Sequence, residues 1–240
     1  DRTKQLYELL EQNQLFDNIT TLSQLPYSRS PCLVQNHKND QTLGSIISDK
    51  GYSQLRVAET EKYAHVTYFF NGGQDLCYPK EERIMINSNK VDCHSQSPAM
   101  KAYEITEHLV SAIKASKHQL MIANIANADM VGHSGNWDAT ISAVTHVDKC
   151  LGEIIIASEQ TDTHLIVTAD HGNAEKMFCS ETLNQHTTHT VNPVPFLYHG
   201  PDKIQLQSKG DITQTTPTIL DLMKIEVPCE MDKSLIMLDA

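Results

Sequence analysis

The sequence predicts an α/β fold, with a mainly parallel sheet flanked by helices. Short apolar runs alternate with longer segments along most of the 240 residues, and this alternation is typical of β–α–β units. One longer segment has Ile105, Leu109 and Ile113 at helical spacing. Ligand sites in such sheets lie at the carboxyl ends of the strands. The residues that follow each strand are therefore the first candidates for function.

The first half of the chain supplies several predicted elements. TKQLYELL is predicted to be a helix and PCLVQ a short strand, whereas residues 36–50, polar at first, are predicted to form a surface excursion. QLRVA and HVTYFF are rich in β-forming residues, so both are predicted strands, and RIMINS is another. The NGG at 71–73 predicts a turn.

The second half continues the alternation. A helix is predicted to begin near Ser97, with Pro98 suited to the first helical position. LMIANIA predicts a buried strand, and Asn136 is then placed to cap a long helix. HLIVT and VPFLY are the next predicted strands, and TTPTILDLM, with Pro217 near its start, is the last helix. The apolar stripe of the long helix is predicted to comprise Val144, Val147, Leu151 and Ile154.

Composition restricts the class of protein. The net charge of -11 argues against general nucleic-acid binding, so an anionic substrate would need positive charge from a few Lys or Arg residues or from metal ions. No apolar run approaches the roughly 20 residues that span a bilayer, and the N-terminal DRTKQLYELLEQ is a polar helix pattern rather than a signal peptide. Six scattered cysteines without a CxxC pair favour reduced thiols in a cytosolic protein over a disulfide framework.

Acidic and imidazole side chains occur at three predicted strand ends. They are Asp129 and His133 after LMIANIA, Asp170 and His171 after HLIVT, and His186 and His189 before VPFLY. Neutral imidazole and carboxylate are good ligands for Zn²⁺ or Mn²⁺, and carboxylate favours the harder ion. A single Asp–His pair would be weak evidence, but three clusters at strand ends predict metal binding.

Each of these residues also has a structural explanation. Asp170 could cap the element that follows its strand, and Asp129 with His133 could be a pair on a helix surface, although Gly132 disfavours a regular helix there. His108, His118 and His146 lie in helix patterns and are expected to be surface or packing residues. His65 could lie near the site, but a structural role is expected for it.

Four segments carry a resemblance to a known family: EKYAHVTYFFNGG, IANADMVGHSGN, TADHGNAEKMF and HTTHTVNPVPF. They resemble the motifs of the cofactor-independent (2,3-bisphosphoglycerate-independent) phosphoglycerate mutases, which belong to the alkaline phosphatase superfamily. TTPTILDLM is similar to the closing helix of that superfamily, although Lys224 stands near the place of its usual glycine. The resemblance covers nearly the whole chain and implies an alkaline-phosphatase-like fold.

The resemblance implies two divalent metal ions as cofactors, Mn²⁺ first, with Zn²⁺, Co²⁺ or Mg²⁺ as alternatives. Matching the motifs residue by residue assigns the ligands as follows: Asp129, His133 and His189 to one ion, with His186 as the alternative third ligand, and Asp170 and His171 to the other ion.

The resemblance also implies a substrate and its contacts. Lys62, in EKYAH, matches the family lysine that contacts the transferring phosphoryl group, and would otherwise be interpreted as a solvated lysine. Arg2 matches an arginine that binds substrate phosphate near the domain hinge, and Lys4 stands where the family often has another arginine. In the family, a serine takes the phosphoryl group from 3-phosphoglycerate and returns it to the 2-position. Two metal ions and a fixed positive charge suit that transfer, because it needs charge neutralisation and alignment.

The family's chain is much longer than this one. Its nucleophilic serine, the remaining ligand of the second ion and an inserted transferase domain lie in an N-terminal segment, and neither its GNSE motif nor its DG start occurs here. We therefore expect residues 1–240 to be the C-terminal part of the metal-binding phosphatase-like domain, with 1–30 as a hinge or return segment. The expected partners are phosphoglycerate and the missing N-terminal half, with no nucleic acid and no membrane, in a cytoplasmic monomer.

Three functional hypotheses follow. The first is an enzyme, part of a phosphoglycerate mutase of glycolysis and gluconeogenesis that is active only with its N-terminal half. The second is a non-catalytic metal-binding fragment or degenerate relative. The third is a metal-dependent phosphatase that uses another nucleophile, such as Ser134 or a bound water. The absence of the serine motif is the feature that separates them.

Overall fold

The computed structural model describes Leu9, residues 41–180 and residues 183–237. The chain divides into two units, Asp1–Asp40 and Gln41–Ala240, and the statements below concern the second. The predicted helix and strand before residue 36, the hinge at 1–30, and Arg2 and Lys4 lie outside the described residues.

A parallel three-stranded sheet forms the centre of the second unit. Its strands are β1 (Gln54–Glu59), β2 (Glu81–Ile86) and β3 (Leu120–Asn124), in the order β2–β1–β3. Both pairings are parallel, with Val57 of β1 opposite Ile84 and Ala123. Every residue of β1 is buried, because a central strand of a parallel sheet is covered on both faces. The predicted α/β class with a parallel sheet and flanking helices is therefore confirmed.

The helices that flank the sheet form most of the core. They are α1 (Leu43–Asp49), α2 (Tyr63–Val66), α3 (Ala102–Ala115), α4 (Asn127–Gly132), α5 (Trp137–Glu159) and α6 (Thr215–Leu222). Ile105 of α3 packs with Leu55 and Val57, while Leu109 and Ile113 pack against Ile154 of α5. Among the described residues, no helix is long and apolar enough to cross a membrane.

The remaining strands are short. β4 (Leu165–Thr168) pairs antiparallel with β7 (Phe196–His199), separately from the parallel sheet. Two small antiparallel pairs complete the described strands: β5 (Phe178–Cys179) with β6 (Asn184–Gln185), and β8 (Gln205–Leu206) with β9 (Ile236–Met237). The predicted strands HLIVT and VPFLY are thus present, within a residue or two of their predicted bounds.

The predicted strand HVTYFF is wrong. A 3-10 turn over Thr60–Lys62 follows β1 directly, and α2 (Tyr63–Val66) follows that turn. The Phe69 N–H donates to the Ala64 carbonyl, so the chain continues through helical turns. Side-chain burial does not alternate here, since adjacent Val66 and Thr67 are both buried, as an extended strand with one buried face would not allow.

The predicted surface excursion at 36–50 is also wrong for the described part. α1 (Leu43–Asp49) lies in this segment, and the Thr42 hydroxyl accepts from the Ser45 N–H to cap it. Leu43 and Ile47 are fully buried against Leu220 of α6. The apolar LGSII half of the segment, rather than its polar beginning, determines the structure.

Two helix details differ from the predictions. The helix expected from Ser97 begins at Ala102, because residues 97–101 form turns held by the Asn127 side chain, which donates to the Pro98 carbonyl.

On α5, Asn136 caps the helix as predicted, with its Oδ1 accepting from Ala139 N–H. However, Val144 is exposed, and the buried face instead comprises Ala143, Cys150, Ile154 and Ala157. Of the predicted stripe, Ile154 is buried as expected, Val147 and Leu151 are half-buried, and Val144 is wrong.

Candidate metal centre

The carboxyl ends of the strands bring the predicted acidic and imidazole side chains together. β3 ends one turn before α4, which carries Asp129, and His133 follows as the C-cap of that helix. Residues 169–177, here called the β4 loop, follow β4. Asp170 and His171 lie near the start of this loop. His189 belongs to the segment before β7, residues 186–195, here called the β7 loop.

Three ligand atoms converge on one point. Asp129 Oδ1 lies 3.1 Å from His133 Nε2 and 3.2 Å from His189 Nε2, and the two Nε2 atoms are 3.1 Å apart. An ion about 2.1 Å from each ligand atom would separate the ligands by about 3.0 Å in an octahedron and about 3.4 Å in a tetrahedron. The observed triangle lies between these values, so Asp129, His133 and His189 could hold a divalent metal ion.

The protonation of His133 suits this role. Its Nδ1 lies 2.8 Å from the Thr187 carbonyl oxygen and donates a hydrogen bond to it. The proton is therefore on Nδ1, which leaves the Nε2 lone pair directed at Asp129 and His189. Metal-binding histidines almost always have such an outer hydrogen bond, because it sets the tautomer and the ring orientation.

The carboxylate of Asp129 is held on both oxygens. Lys62 Nζ donates to Oδ2 at 2.6 Å, and Asn173 Nδ2 donates to Oδ1 at 2.8 Å. Burial alone would raise the pKa of Asp129, but the hydrogen bond and charge of Lys62, with Asn173 and His133, lower it below its ordinary value. Asp129 is thus ionised, as a carboxylate that holds a metal ion has to be. Lys62 is itself buried, at the end of the 3-10 turn over Thr60–Lys62.

A second acidic and imidazole pair adjoins the first group. His171 Nε2 lies 3.5 Å from Asp170 Oδ1, and the His171 ring stacks on the His189 ring with centroids 3.6 Å apart. His65 is close enough to both groups that Lys62, Asp170, Asp129 and His171 all influence its pKa, which burial lowers most. The structure therefore gathers both predicted ligand sets, and His65 with them.

His186 and Ser134 are placed differently. The His186 backbone N–H donates to the Met177 carbonyl, and its Nε2 lies 3.3 Å from the Thr188 hydroxyl; it is not part of the converging triangle. Ser134 Oγ donates to the Val131 carbonyl at 2.6 Å and accepts from the Asn136 N–H. Its hydroxyl is therefore occupied by the turn that starts α5.

Sequence reasoning missed two residues of the β4 loop. Asn173 is 5% exposed and donates to Asp129. Glu175 accepts hydrogen bonds from the Asn173 N–H, the Thr190 hydroxyl and the Asn192 amide. Burial would raise the pKa of Glu175, but the bonds from Thr190 and Asn192 outweigh it and lower the pKa to about 2. Both residues lie within the motif TADHGNAEKMF, of which the metal prediction used only Asp170 and His171.

Comparisons with known proteins agree with this geometry. The family model described as the metalloenzyme superfamily matches residues 10–227. The 2,3-bisphosphoglycerate-independent phosphoglycerate mutase of Ehrlichia ruminantium (strain Gardel) is 46% identical over 96% of this chain and 47% of its own length. The mutase of Nitrosococcus oceani is 44% identical over 85% of this chain and 39% of its own. The chain thus spans about half the length, or less, of these curated relatives.

A solved structure is similar as well. The phosphoglycerate mutase of Leishmania mexicana, determined at low cobalt concentration, superposes with a TM-score of 0.75 at 29% identity, covering 82% of this chain and 39% of that one. The match of the family model over most of the chain, together with these relatives, decides the family. The chain belongs to the metalloenzyme superfamily, and its relatives there are the 2,3-bisphosphoglycerate-independent phosphoglycerate mutases.

Proposed function

We propose that this chain is the metal-binding part of a phosphoglycerate mutase that interconverts 3-phosphoglycerate and 2-phosphoglycerate in glycolysis and gluconeogenesis. The single observation that supports it most is the triangle of Asp129, His133 and His189, whose ligand atoms lie 3.1–3.2 Å apart. The relatives at 44–46% identity carry that name, and the triangle lies in the motifs that resemble theirs.

The proposed cofactors are two divalent ions, Mn²⁺ first. Asp129, His133 and His189 would hold one ion, and Asp170 with His171 would contribute to the other. The mixed carboxylate and imidazole donors suit Mn²⁺, Co²⁺ or Zn²⁺, and carboxylate favours the harder ion. When bound, such ions polarise a phosphoryl group and lower the pKa of an attacking hydroxyl. The second set has only two described protein ligands, so this chain alone is expected to hold one ion firmly.

Lys62 is the proposed phosphoryl contact. Its ammonium is buried and is anchored on Asp129 Oδ2, and an ammonium has three donors, so two remain for phosphoryl oxygens. A fixed charge of this kind stabilises the charge that develops in the transition state. Arg2, outside the described residues, is proposed to bind the substrate phosphate.

The nucleophile is proposed to come from outside this chain. The family's serine, with the inserted transferase domain, would be supplied by a polypeptide corresponding to the other half of the relatives, and residues 1–30 would connect to it. The proposed enzyme is a cytoplasmic monomer without nucleic-acid or membrane partners. Cys77, Cys93, Cys150 and Cys229 are free thiols, which agrees with a reducing compartment.

A reconstitution assay tests the proposal. The 240-residue chain is co-expressed with the N-terminal half of the Ehrlichia ruminantium relative, and the pair, here called the assembled enzyme, is purified from a host that lacks its own mutase. Conversion of 3-phosphoglycerate is followed by coupling to enolase with excess Mn²⁺. We expect turnover from the assembled enzyme and only background from the chain alone, because covalent transfer requires a nucleophile held at the ions.

Two results would contradict the proposal. The first is an assembled enzyme that forms a stable complex and binds Mn²⁺ but shows no turnover, which would favour a degenerate metal-binding relative. The second is robust turnover by the chain alone, which would show a nucleophile within it. In that case Ser134→Ala is the first variant to make, with Ser111→Ala on the exposed side of α3 as its control.

A further inference from the structure

The two loops that carry His171 and His189 are joined beside the metal centre. The Thr190 N–H donates to the Gly172 carbonyl at 2.9 Å, which makes an isolated antiparallel bridge between the β4 loop and the β7 loop. Thr190 directly follows His189, and Gly172 directly follows His171. The position of one candidate ligand therefore depends on how firmly the loops are connected.

Glu175 is the principal side chain at this junction. One carboxylate oxygen, Oε1, accepts from the Thr190 hydroxyl and from Asn192 Nδ2 at 2.9 Å, both in the β7 loop. The other oxygen, Oε2, accepts from the Asn173 N–H at 2.7 Å, in the β4 loop. Hydrogen bonds to an ionised acceptor are stronger than neutral ones, so one carboxylate ties both loops together.

Asn173 extends this connection to the ligand triangle. Its Nδ2 donates to Asp129 Oδ1, the same oxygen that faces His133 and His189. A carboxylate oxygen has a second lone pair, so this bond orients the oxygen without consuming it as a ligand. The Asn173 Oδ1 has no hydrogen-bond partner among the described residues, so the side-chain hydrogen bonds of this buried amide run to Asp129.

Two glycines leave the space that this arrangement needs. A Cβ on Gly132 of α4 would clash with the Asn173 amide, and a Cβ on Gly172 would clash with Thr190 Oγ1 and the Glu175 carboxylate. In contrast, a Cβ on Gly152 of α5 would meet nothing within 4 Å. Glycine at positions 132 and 172 therefore leaves room for the Asn173 amide and the Glu175 carboxylate.

We propose that Asn173 and Glu175 are positioning residues for the metal centre: Glu175 holds the His189 loop in place, and Asn173 orients the Asp129 carboxylate. The inference rests on the proposed metal centre and assigns a function to two residues that would not themselves contact the ion. Outer-shell partners of this kind typically change metal affinity by about 10–100-fold.

The test is a titration of the 240-residue chain with Co²⁺. Binding is measured by calorimetry and by the visible absorption of the bound ion. Glu175→Ala, Asn173→Ala and Gly172→Ala are each expected to weaken Co²⁺ binding by about 10–100-fold and to change the absorption bands, because the ligands would no longer converge. Glu175→Gln keeps the side-chain shape but only one acceptor oxygen, and its NH2 faces a donor of one of the two loops, so it is expected to recover only part of the affinity. Gly152→Ala and Glu153→Gln, an exposed acid on α5, are the controls and should match the wild type.

The melting temperature of each metal-free variant separates positioning from folding. If Glu175→Ala melts early yet binds Co²⁺ with wild-type affinity and an unchanged spectrum well below its melting temperature, Glu175 is merely structural and the inference is wrong. A wild-type chain that binds no Co²⁺ and no Mn²⁺ would overturn the proposed metal centre and this inference with it. An assembled wild-type enzyme that binds metal but shows no mutase turnover would contradict only the proposed function.

Discussion

The imidazole rings of His171 and His189 stack, with centroids 3.6 Å apart and planes inclined by 19°. This contact joins the two candidate ligand sets, because His189 belongs to the triangle with Asp129 and His133 while His171 pairs with Asp170. Two ions held by these sets would therefore be neighbours, as a two-metal phosphoryl-transfer site requires. The stack also makes His171 a support for a ligand that lies in another loop.

The stack can be separated from ligation by two substitutions at His171. His171→Phe keeps an aromatic ring but removes the ligand nitrogen, so the triangle should keep nearly its wild-type affinity for Mn²⁺. His171→Ala removes both and should weaken the triangle by about 10-fold, the lower end for outer-shell partners. Both variants of the assembled enzyme should lose the second ion. Metal content by elemental analysis and titration measures this, and equal affinities for Phe and Ala would show that the stack has no effect.

The ligand triangle predicts which histidine substitutions lower the metal affinity. Asp129→Ala or His189→Ala should lower Mn²⁺ or Zn²⁺ affinity by more than about 100-fold, since losing a direct ligand should cost at least as much as losing an outer-shell partner. His186→Ala is the matched control from the same loop, and His146→Ala, whose Nδ1 lies 2.7 Å from the Tyr103 hydroxyl, is a distant one. Bound metal per chain, measured after dialysis, checks the prediction. Full loss in His186→Ala with retention in His189→Ala would reverse the assignment.

Lys62 is expected to act more on turnover than on metal binding. In the assembled enzyme, Lys62→Met should lower kcat by about 10²–10³-fold, as expected when a charge aimed at the transition state is removed. Mn²⁺ affinity should change by less, because Asp129 keeps its bond from Asn173. The control is Lys117→Met, whose ammonium pairs with the exposed Glu82. An unchanged kcat for Lys62→Met would reduce Lys62 to a structural partner of Asp129.

Glu59, at the end of β1, makes stability depend on pH. Burial raises the pKa of Glu59, although hydrogen bonds from Ser88 and the Lys101 N–H oppose the shift. An acid whose folded pKa is raised favours folding below its unfolded pKa near 4.5, and that contribution is lost as pH rises through the folded pKa. Relative to wild type, Glu59→Gln should therefore gain melting temperature with rising pH.

The control for Glu59 is Glu61→Gln, an exposed acid two positions later. Melting curves of both variants and the wild type, measured in metal-free buffer from pH 4 to pH 8, make the comparison. The gain in melting temperature with rising pH should be larger for Glu59→Gln than for Glu61→Gln, because Glu59 is buried and Glu61 is exposed. A flat difference for Glu59→Gln would mean that the hydrogen bonds compensate burial fully.

Most of the strands and helices, and the positions where acidic and imidazole groups cluster, could be predicted from the sequence. Apolar runs bounded by polar residues predict buried strands, and parallel strands bring their carboxyl ends to one edge. Asp129 and His133 after β3, with Asp170 and His171 after β4, were therefore expected to meet. Their roles as ligands remain predictions.

The choice between His186 and His189 depended on tertiary structure. The two lie three residues apart in one irregular loop, where no periodicity assigns a direction to either side chain. The bond from the Thr190 N–H to the Gly172 carbonyl directs His189 toward Asp129, while the bond from the His186 N–H to the Met177 carbonyl holds His186 elsewhere. Such long-range backbone bonds leave no local pattern in the sequence.

The sequence by itself determined the α/β class, the family resemblance and the set of candidate ligands, because these rest on local periodicity and on motifs. Only the tertiary structure decided that HVTYFF turns instead of extending, that LGSII is buried, and that Asn173 and Glu175 connect the loops around Asp129. Their physical basis is shared: packing and hydrogen bonds between segments far apart in the chain override local propensity, and a short segment contains no information about its distant partner.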